Sequence, residues 1–438
     1  MIYETEMFNK KARWNMKPIF NCSKNYSTYT NIFSTLIRDK NVHTTLLSIL
    51  LFSAATTTSQ TITNDNNISV IGIGRLGLCS ALCFERAGYN VMGLDVFPSY
   101  IENVNNKTLK SPEPLLEDYL KSSKNLKATL SLDEALEFSD TYFIVVATPS
   151  TPAKEAYDHS MLSKLLNEIN KRKVKNKHVV IACTVFPGYI HNVARLLLKD
   201  CENTSVSYNP EFIAQGNIIS WFESPDMVLI GEGSKEAGDF LETLYRRMCK
   251  NQPFICRMSP ESAEITKLAV NCFVTTKIAY ANMVADIADA TPNANKSDIL
   301  NAVGGDKRIG SRCLKPGYGF GGPCFPRDNR ALGSYAKTIG LEPLIPEATD
   351  KSNSQHAKAM AENLLAKKQN TYVFEDVNYK DNCPVVILEE SQKLAVAEIL
   401  AKDGKHVVIR DRACVIEEVK QKFGNLFEYE SITGDQKC

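Results

Sequence analysis

The sequence predicts an α/β fold shared among more than one domain. An apolar run from Ile68 to Ile73 leads into Gly72-Ile73-Gly74-Arg75-Leu76-Gly77, a helical stretch from Leu78 to Ala87, and a second apolar run from Val91 to Leu94. Apolar runs and helical segments keep alternating as far as Ile230, the rhythm of a parallel sheet covered by crossover helices. From Pro260 to about Ala290 the pattern turns helical without a break, well beyond the ~11 residues of an average helix. The expected layout is an N-terminal Rossmann-like dinucleotide-binding domain over 68–256, a central long-helix domain over 257–370, and a small Rossmann-like C-terminal domain over 371–438.

In the first βαβ unit each glycine has a physical task. Gly72 makes the tight turn, Gly74 lets the backbone reach a pyrophosphate, and Gly77 lets helix and strand pack closely. Ile73, Arg75 and Leu76 complete the turn and open the helix, whose N-terminal N–H groups face the phosphates. Asp95 ends the second strand, where an acid binds both ribose hydroxyls and repels a 2′-phosphate. No Arg or Lys occurs from Val96 to Tyr100, so NAD is expected rather than NADP.

Further strands are expected at Thr141 to Ala147, His178 to Cys183, Val206 to Tyr208 and Met227 to Ile230. Thr148, Thr184 and Asn209-Pro210-Glu211-Phe212 follow three of these strands, on the side where open α/β sheets bind ligands. Each alone reads as an ordinary turn; together they read as a lined cleft. In the long helix Glu264, Lys267 and Asn271 share one stripe. That stripe fits a surface Glu264–Lys267 pair, or a Lys and an Asn turned together toward a polar substrate; both readings stay open.

Residues Gly319 to Asp328 read GFGGPCFPRD. Gly321 and Gly322 are expected to allow close approach of a ligand, and Pro323 and Pro326 to stiffen the loop. Arg327 supplies a positive charge expected to lower the Cys324 thiol pKa, and Asp328 adds a carboxylate. A lone cysteine is more often an inert small hydrophobe. Downstream of a dinucleotide turn, Cys324 becomes a candidate nucleophile.

Composition narrows the function. With 51 basic and 50 acidic residues, a net charge of +1 gives no field that favours nucleic acid. Thirteen cysteines without a CxxC pair read as reduced thiols in the cytoplasm, and 6 histidines form no metal-ligand spacing. Residues 1–67 are rich in Thr, Asn and Ser and read as a disordered extension, with a targeting segment or a membrane anchor as alternatives. Their one apolar patch, Leu46 to Ala55, is about half the ~20 residues a membrane span needs, so no membrane is expected.

In order and spacing GIGRLG, VATP, CTVFPG, NPEF, ITKLAVNCF, GGDKRIG and GFGGPCFPRD resemble the UDP-glucose/GDP-mannose dehydrogenase family, over roughly Ile68 to Leu344. Cys-Phe-Pro-Arg-Asp resembles its UDP-glucose branch. The resemblance implies a four-electron oxidation of UDP-glucose to UDP-glucuronate with two NAD. Cys324 would form a thiohemiacetal and then a thioester, and Lys267 would stabilise the oxyanions. Asn271 and Asp328, with a water, would position the reacting oxygen, while Glu211 and Thr184 would direct the hydrolytic water. Thr148, Thr184 and Arg327 would also line the cofactor site. Phe212, Arg308, Tyr318, Gly319, Phe320 and Gly321, together with Glu211, Lys267 and Asn271, would contact the nucleotide sugar. The long helix would be the core of a homodimer. GDP-mannose, a UDP-N-acetylhexosamine, or an idle NAD-binding relative are the alternatives.

The chain departs from the family pattern at several places. Gln215 stands for a second glutamate after NPEF, Cys183 for a serine, and Tyr100 for a residue that is often basic. A C-terminal strand expected at Pro384 to Leu388 runs into Glu389-Glu390-Ser391-Gln392, with no arginine to meet the nucleotide. A helix from Leu394 to Lys402 and a strand from His406 to Ile409 should still complete a small reduced lobe.

Overall fold

The structure is a computed structural model that describes residues 66–151 and 156–432. The readings of the N-terminal extension and its Leu46 to Ala55 patch lie outside the described residues. The larger sheet has eight strands: β1 (Asn67–Ile71), β2 (Asn90–Leu94), β3 (Leu126–Thr129), β4 (Thr141–Ile144), β5 (His178–Ile181), β6 (Ser205–Tyr208), β7 (Met227–Gly231) and β8 (Phe254–Met258). Their order is β3-β2-β1-β4-β5-β6-β7-β8, parallel except where β7 meets β6 at Tyr208 and Gly231. Ile68, Val70, Phe143 and Val180 face one core, and Ile71, Ile144, Val179 and Ile181 face the other. Both faces are covered, so these strands read as near-continuous apolar runs. Strand order reverses between β1 and β4, which opens a crevice at their C-terminal ends.

The long helix spans Pro260–Asp289, with Pro260 at its first position and Ser259 capping the Ser262 N–H at 3.2 Å. By length and composition it could cross a membrane. However, it buries Glu264, Lys267, Asn271 and Asn282 against protein, which makes it a core spine. Helices Phe325–Thr338 and Leu344–Ala366 pack beside it.

The C-terminal sheet has the order β11-β10-β9, with β9 at Thr371–Glu375, β10 at His406–Asp411 and β11 at Glu428–Ser431. The strand expected at Pro384 to Leu388 does not form; β9 takes that place beside β10. Pro384 has no N–H to give to a ladder. The segment instead buries Cys383, Val385 and Ile387 beside Tyr379 and spends its polar groups locally. The Ile387 N–H donates to Asn378 Oδ1 (2.9 Å), and the Tyr379 N–H to the Ile387 carbonyl (3.0 Å). An apolar run with two β-branched valines looks like a strand until its partners are known. Among the described residues ten cysteines are free thiols, most of them buried.

Candidate active site

The crevice begins at the glycine turn after β1. Gly72 has φ +94°, and a side chain there would come within 2.6 Å of the Val145 carbonyl oxygen. Gly77 abuts the Gly72 carbonyl, whereas Gly74 has open space beside it. Ile73 is buried against Gly93 on β2, and Leu76 packs on the core. No side chain caps helix Arg75–Arg86, so its first N–H groups remain available to an anion. Asp95 directly follows β2 and accepts the Val96 N–H (2.7 Å). Arg75 reaches across to Gln215 Oε1 (2.7 Å), which gives the departing Gln215 a place beside the turn. An open glycine, an uncapped helix start and a carboxylate at the next strand end fit a dinucleotide.

Thr148 and Thr184 follow β4 and β5. The Thr148 hydroxyl donates to the Thr184 carbonyl (2.8 Å), and Arg327 Nη1 donates to the Thr148 carbonyl (3.1 Å). Arg327 thus joins the crevice to the cysteine helix.

Cys324 is the N-cap residue of helix Phe325–Thr338, and its carbonyl accepts the Asp328 N–H at 2.8 Å. That turn of helix carries the Asp328 carboxylate inward, where it is only 1% exposed. Asn271 Nδ2 donates to Asp328 Oδ2 (2.7 Å) and Tyr157 Oη to Oδ1 (2.9 Å), while Arg327 Nε stands 3.5 Å from Oδ1. Lys267 donates to the Glu211 carbonyl (2.6 Å), and its ammonium lies 4.5 Å from the Phe212 ring centroid. Glu264 does not pair with Lys267. Its two oxygens accept the Gly188 and Ile190 N–H groups at 2.6 and 2.7 Å, fastening the segment that follows Thr184. The surface-pair reading of that stripe is therefore set aside.

The thiol of Cys324 is pushed up from its ordinary value, first by burial and then by the Asp328 charge; Arg327 and Lys267 pull it down. The expectation that Arg327 would leave a lowered thiol is corrected, because desolvation outweighs both cations. The same electrostatics brings Lys267 to bear on Cys324. Burial also pushes the Glu211 carboxyl up to about 7, against the pull of a Tyr245 hydrogen bond (2.7 Å) and the Lys267 charge.

The glycines before Cys324 meet protein rather than open ligand space. Gly319 abuts Asn353, Gly321 the Glu390 carbonyl, and Gly322, at φ +85°, the Tyr379 ring. The Gly322 N–H donates to the Glu389 carbonyl (2.8 Å). Asn353 clamps buried Phe320 through both its N–H (2.8 Å) and its carbonyl (2.9 Å). Arg330 adds a charged latch, with Nη1 2.6 Å from Glu390 Oε1 and Nε 3.1 Å from Asp350 Oδ2. Tyr318 remains partly exposed under Lys393, whose ammonium is 5.7 Å from its ring centroid. The Arg308 side chain is 88% exposed and paired to Asp306. Sequence reasoning missed Tyr157, Tyr245, Arg330 and Asn353. None sits in a motif, and each acts across a long stretch of chain.

Residues 66–249 match the NAD binding domain of the UDP-glucose/GDP-mannose dehydrogenase family, and residues 261–355 match its central domain. A UDP-glucose 6-dehydrogenase of Rickettsia bellii (strain RML369-C) is 31% identical over 345 residues, covering 78% of this chain and 77% of the relative. A GDP-mannose 6-dehydrogenase of Pseudomonas aeruginosa is 30% identical over 359 residues, covering 79% and 81% respectively. Among solved structures, a UDP-glucose dehydrogenase from Pyrobaculum islandicum superposes with a TM-score of 0.74 at 30% identity, covering 84% of this chain and 87% of that one.

Proposed function

Because the chain belongs to the UDP-glucose/GDP-mannose dehydrogenase family, we propose that it oxidises UDP-glucose to UDP-glucuronate through a covalent intermediate on Cys324. The Asn271–Asp328 contact beneath Cys324, with the Lys267 charge acting on the same thiol, carries this reading. Gly72, Gly74, Gly77 and Asp95 would hold NAD, which would supply the hydride acceptor for each oxidation.

In the first oxidation the C6 hydroxyl loses its proton, the C6 carbon loses a hydride, and an aldehyde results. The Cys324 thiol gives up its proton to solvent and its sulfur adds to that carbon, forming a C–S bond, opening the carbonyl double bond and leaving an oxyanion beside the Lys267 ammonium. A fixed cation and an amide donor in a dry site stabilise such charge by a few kcal/mol each, about 3 for one lost donor. Loss of a second hydride leaves a thioester. Water then adds, the C–S bond breaks, and the carboxylate leaves with the thiol restored. Glu211, with a carboxyl raised to about 7, is matched to taking the proton of that water near neutral pH, with Thr184 helping to orient it. Phe212 and the partly exposed Tyr318 line the sugar side, and the Gly319–Gly321 backbone, packed on Asn353 and the Glu390 carbonyl, supports them from behind; Arg308, tied to Asp306 at the surface, is left out.

Phe273, Tyr280, Met283 and Ile287 are exposed along one face of the long helix, and we assign that face to a homodimer. We place the enzyme in the cytoplasm, where NAD is at hand. GDP-mannose is the second reading, because the Pseudomonas aeruginosa relative is about as similar as the Rickettsia bellii one. An NADH assay with UDP-glucose, GDP-mannose and UDP-N-acetylmannosamine separates the possibilities. Two NADH per acid from UDP-glucose supports the proposal. One NADH means a simple alcohol dehydrogenase, and none from any sugar means an idle relative.

A further inference from the structure

Tyr157 belongs to none of the motifs that define the site. The chain after β4 returns on itself to place it: the Asp158 N–H donates to the Pro149 carbonyl (2.7 Å) and the Thr151 N–H to the Ala156 carbonyl (3.0 Å). Tyr157 comes back beside the strand end that carries Thr148 and is 4% exposed, packed with Leu268 and Ala331. Leu268 neighbours Lys267 on the long helix, and Ala331 lies three residues beyond Asp328 on the cysteine helix. The tyrosine therefore sits where three elements meet.

The two oxygens of Asp328 are served from different sources. Oδ2 accepts from Asn271 on the long helix (2.7 Å). Oδ1 accepts from Tyr157 Oη (2.9 Å), the one hydrogen-bond donor to that oxygen among the described residues. Arg327 Nε is 3.5 Å from Oδ1 and is buried without a hydrogen-bond partner. Its guanidinium lies 4.9 Å from the Tyr157 ring centroid, so the ring also holds Arg327 in line with Thr148. Burial keeps the phenol well above its ordinary titration range, so Tyr157 stays a donor at every working pH.

We propose that Tyr157 is a positioning residue for catalysis, fixing the Asp328 carboxylate so that it presents one orientation to the reacting sugar oxygen beside Cys324. The proposal rests on the reading of Asp328 as a participant in the oxidation. A carboxylate held by one donor can swing toward Arg327. Held by two donors from different elements, it cannot turn without breaking a bond. Tyr157 also ties the nucleotide-binding half of the crevice to the cysteine half.

The test is single-turnover NADH formation by the full-length enzyme, comparing Tyr157→Phe, Asp328→Asn and the double variant. Phenylalanine keeps the ring under Arg327 and the packing on Leu268, so only the hydroxyl is lost. Tyr157→Phe should fall roughly tenfold to a hundredfold in rate, the range for a hydrogen bond to a charged group, with KM for NAD and for the sugar within about twofold. Added to Asp328→Asn, it should have little further effect, because the group it positions is already altered. A full drop that persists in the Asp328→Asn background, an unchanged rate in Tyr157→Phe, or a lowered melting temperature matched by a rise in both KM values would each overturn the proposal. If the parent enzyme forms no NADH from any nucleotide sugar, the proposed function itself fails, which none of those outcomes would mimic.

Discussion

Asn271 Nδ2 stands 2.7 Å from Asp328 Oδ2, and this contact bolts the long central helix to the helix capped by Cys324. Both groups are buried, so the bond replaces water that the carboxylate has lost. Asn271→Ala leaves one oxygen of a buried carboxylate short of a donor. It should destabilise the enzyme by about 1–3 kcal/mol in denaturant unfolding and lower kcat more than it raises KM. Equal stability and an unchanged kcat would mean that the contact is idle.

The Cys324 thiol should titrate above a free cysteine, because burial and Asp328 outweigh Arg327 and Lys267. The thiolate is the reactive form, so its alkylation by iodoacetamide in the absence of ligands should keep rising with pH past the ordinary thiol range. Lys267→Met removes one of the opposing cations and should move that rise further up. A midpoint at or below that of free cysteine would show that the cations win.

Glu264 makes a second pH-dependent contribution. Burial raises its carboxyl in the fold to about 7, against the two N–H donors, while an unfolded chain leaves it at the ordinary value of 4.5. The folded chain therefore holds this proton more tightly. The associated stability is fully present below about 4.5 and is lost as pH rises through about 7. Thermal unfolding from pH 5 to 8 should show that decline, with Glu211 adding in the same direction. Glu264→Gln should make the decline shallower. It should also lower stability at pH 5 by about 1–3 kcal/mol, since an amide NH2 would face the Gly188 or Ile190 N–H. An unchanged slope in the variant would rule this out.

The exposed face of the long helix offers Phe273 at 68% exposure, seven residues before Tyr280, with Ile287 seven further on. Phe273→Asp should place a charge in the middle of the proposed subunit contact. Light scattering should then report a monomer where the parent is a dimer, and a persistent dimer would put the contact elsewhere.

The parts of this molecule legible in the sequence are those with a short-range physical cause. Gly72, Gly74 and Gly77 act within one turn, and Asp95 directly follows the adjacent strand, so spacing alone announces them. Pro260 and Ser259 mark the start of the long helix just as locally. Gly321 and Gly322 were recognisable as positions needing room, but what fills that room, the Glu390 carbonyl and the Tyr379 ring, arrives from the C-terminal lobe. The stripe of Glu264, Lys267 and Asn271 fits a surface pair and a substrate-facing Lys and Asn equally well in the sequence; only tertiary structure reveals that Glu264 and Lys267 each turn to a different backbone group. The Pro384 to Leu388 run has strand-like composition but no free ladder beside it. Tyr157 acts on a carboxylate 171 residues away and leaves no local signal at all.

The most direct test is the mass of the Cys324 peptide from Glu211→Gln enzyme, quenched in acid during turnover with NAD and its nucleotide sugar. If Glu211 directs the water that cleaves a thioester, the variant should accumulate an acyl nucleotide-sugar adduct on Cys324. An unmodified peptide throughout, with carboxylate product still forming in a Cys324→Ser variant at the parent rate, would contradict covalent catalysis by this cysteine.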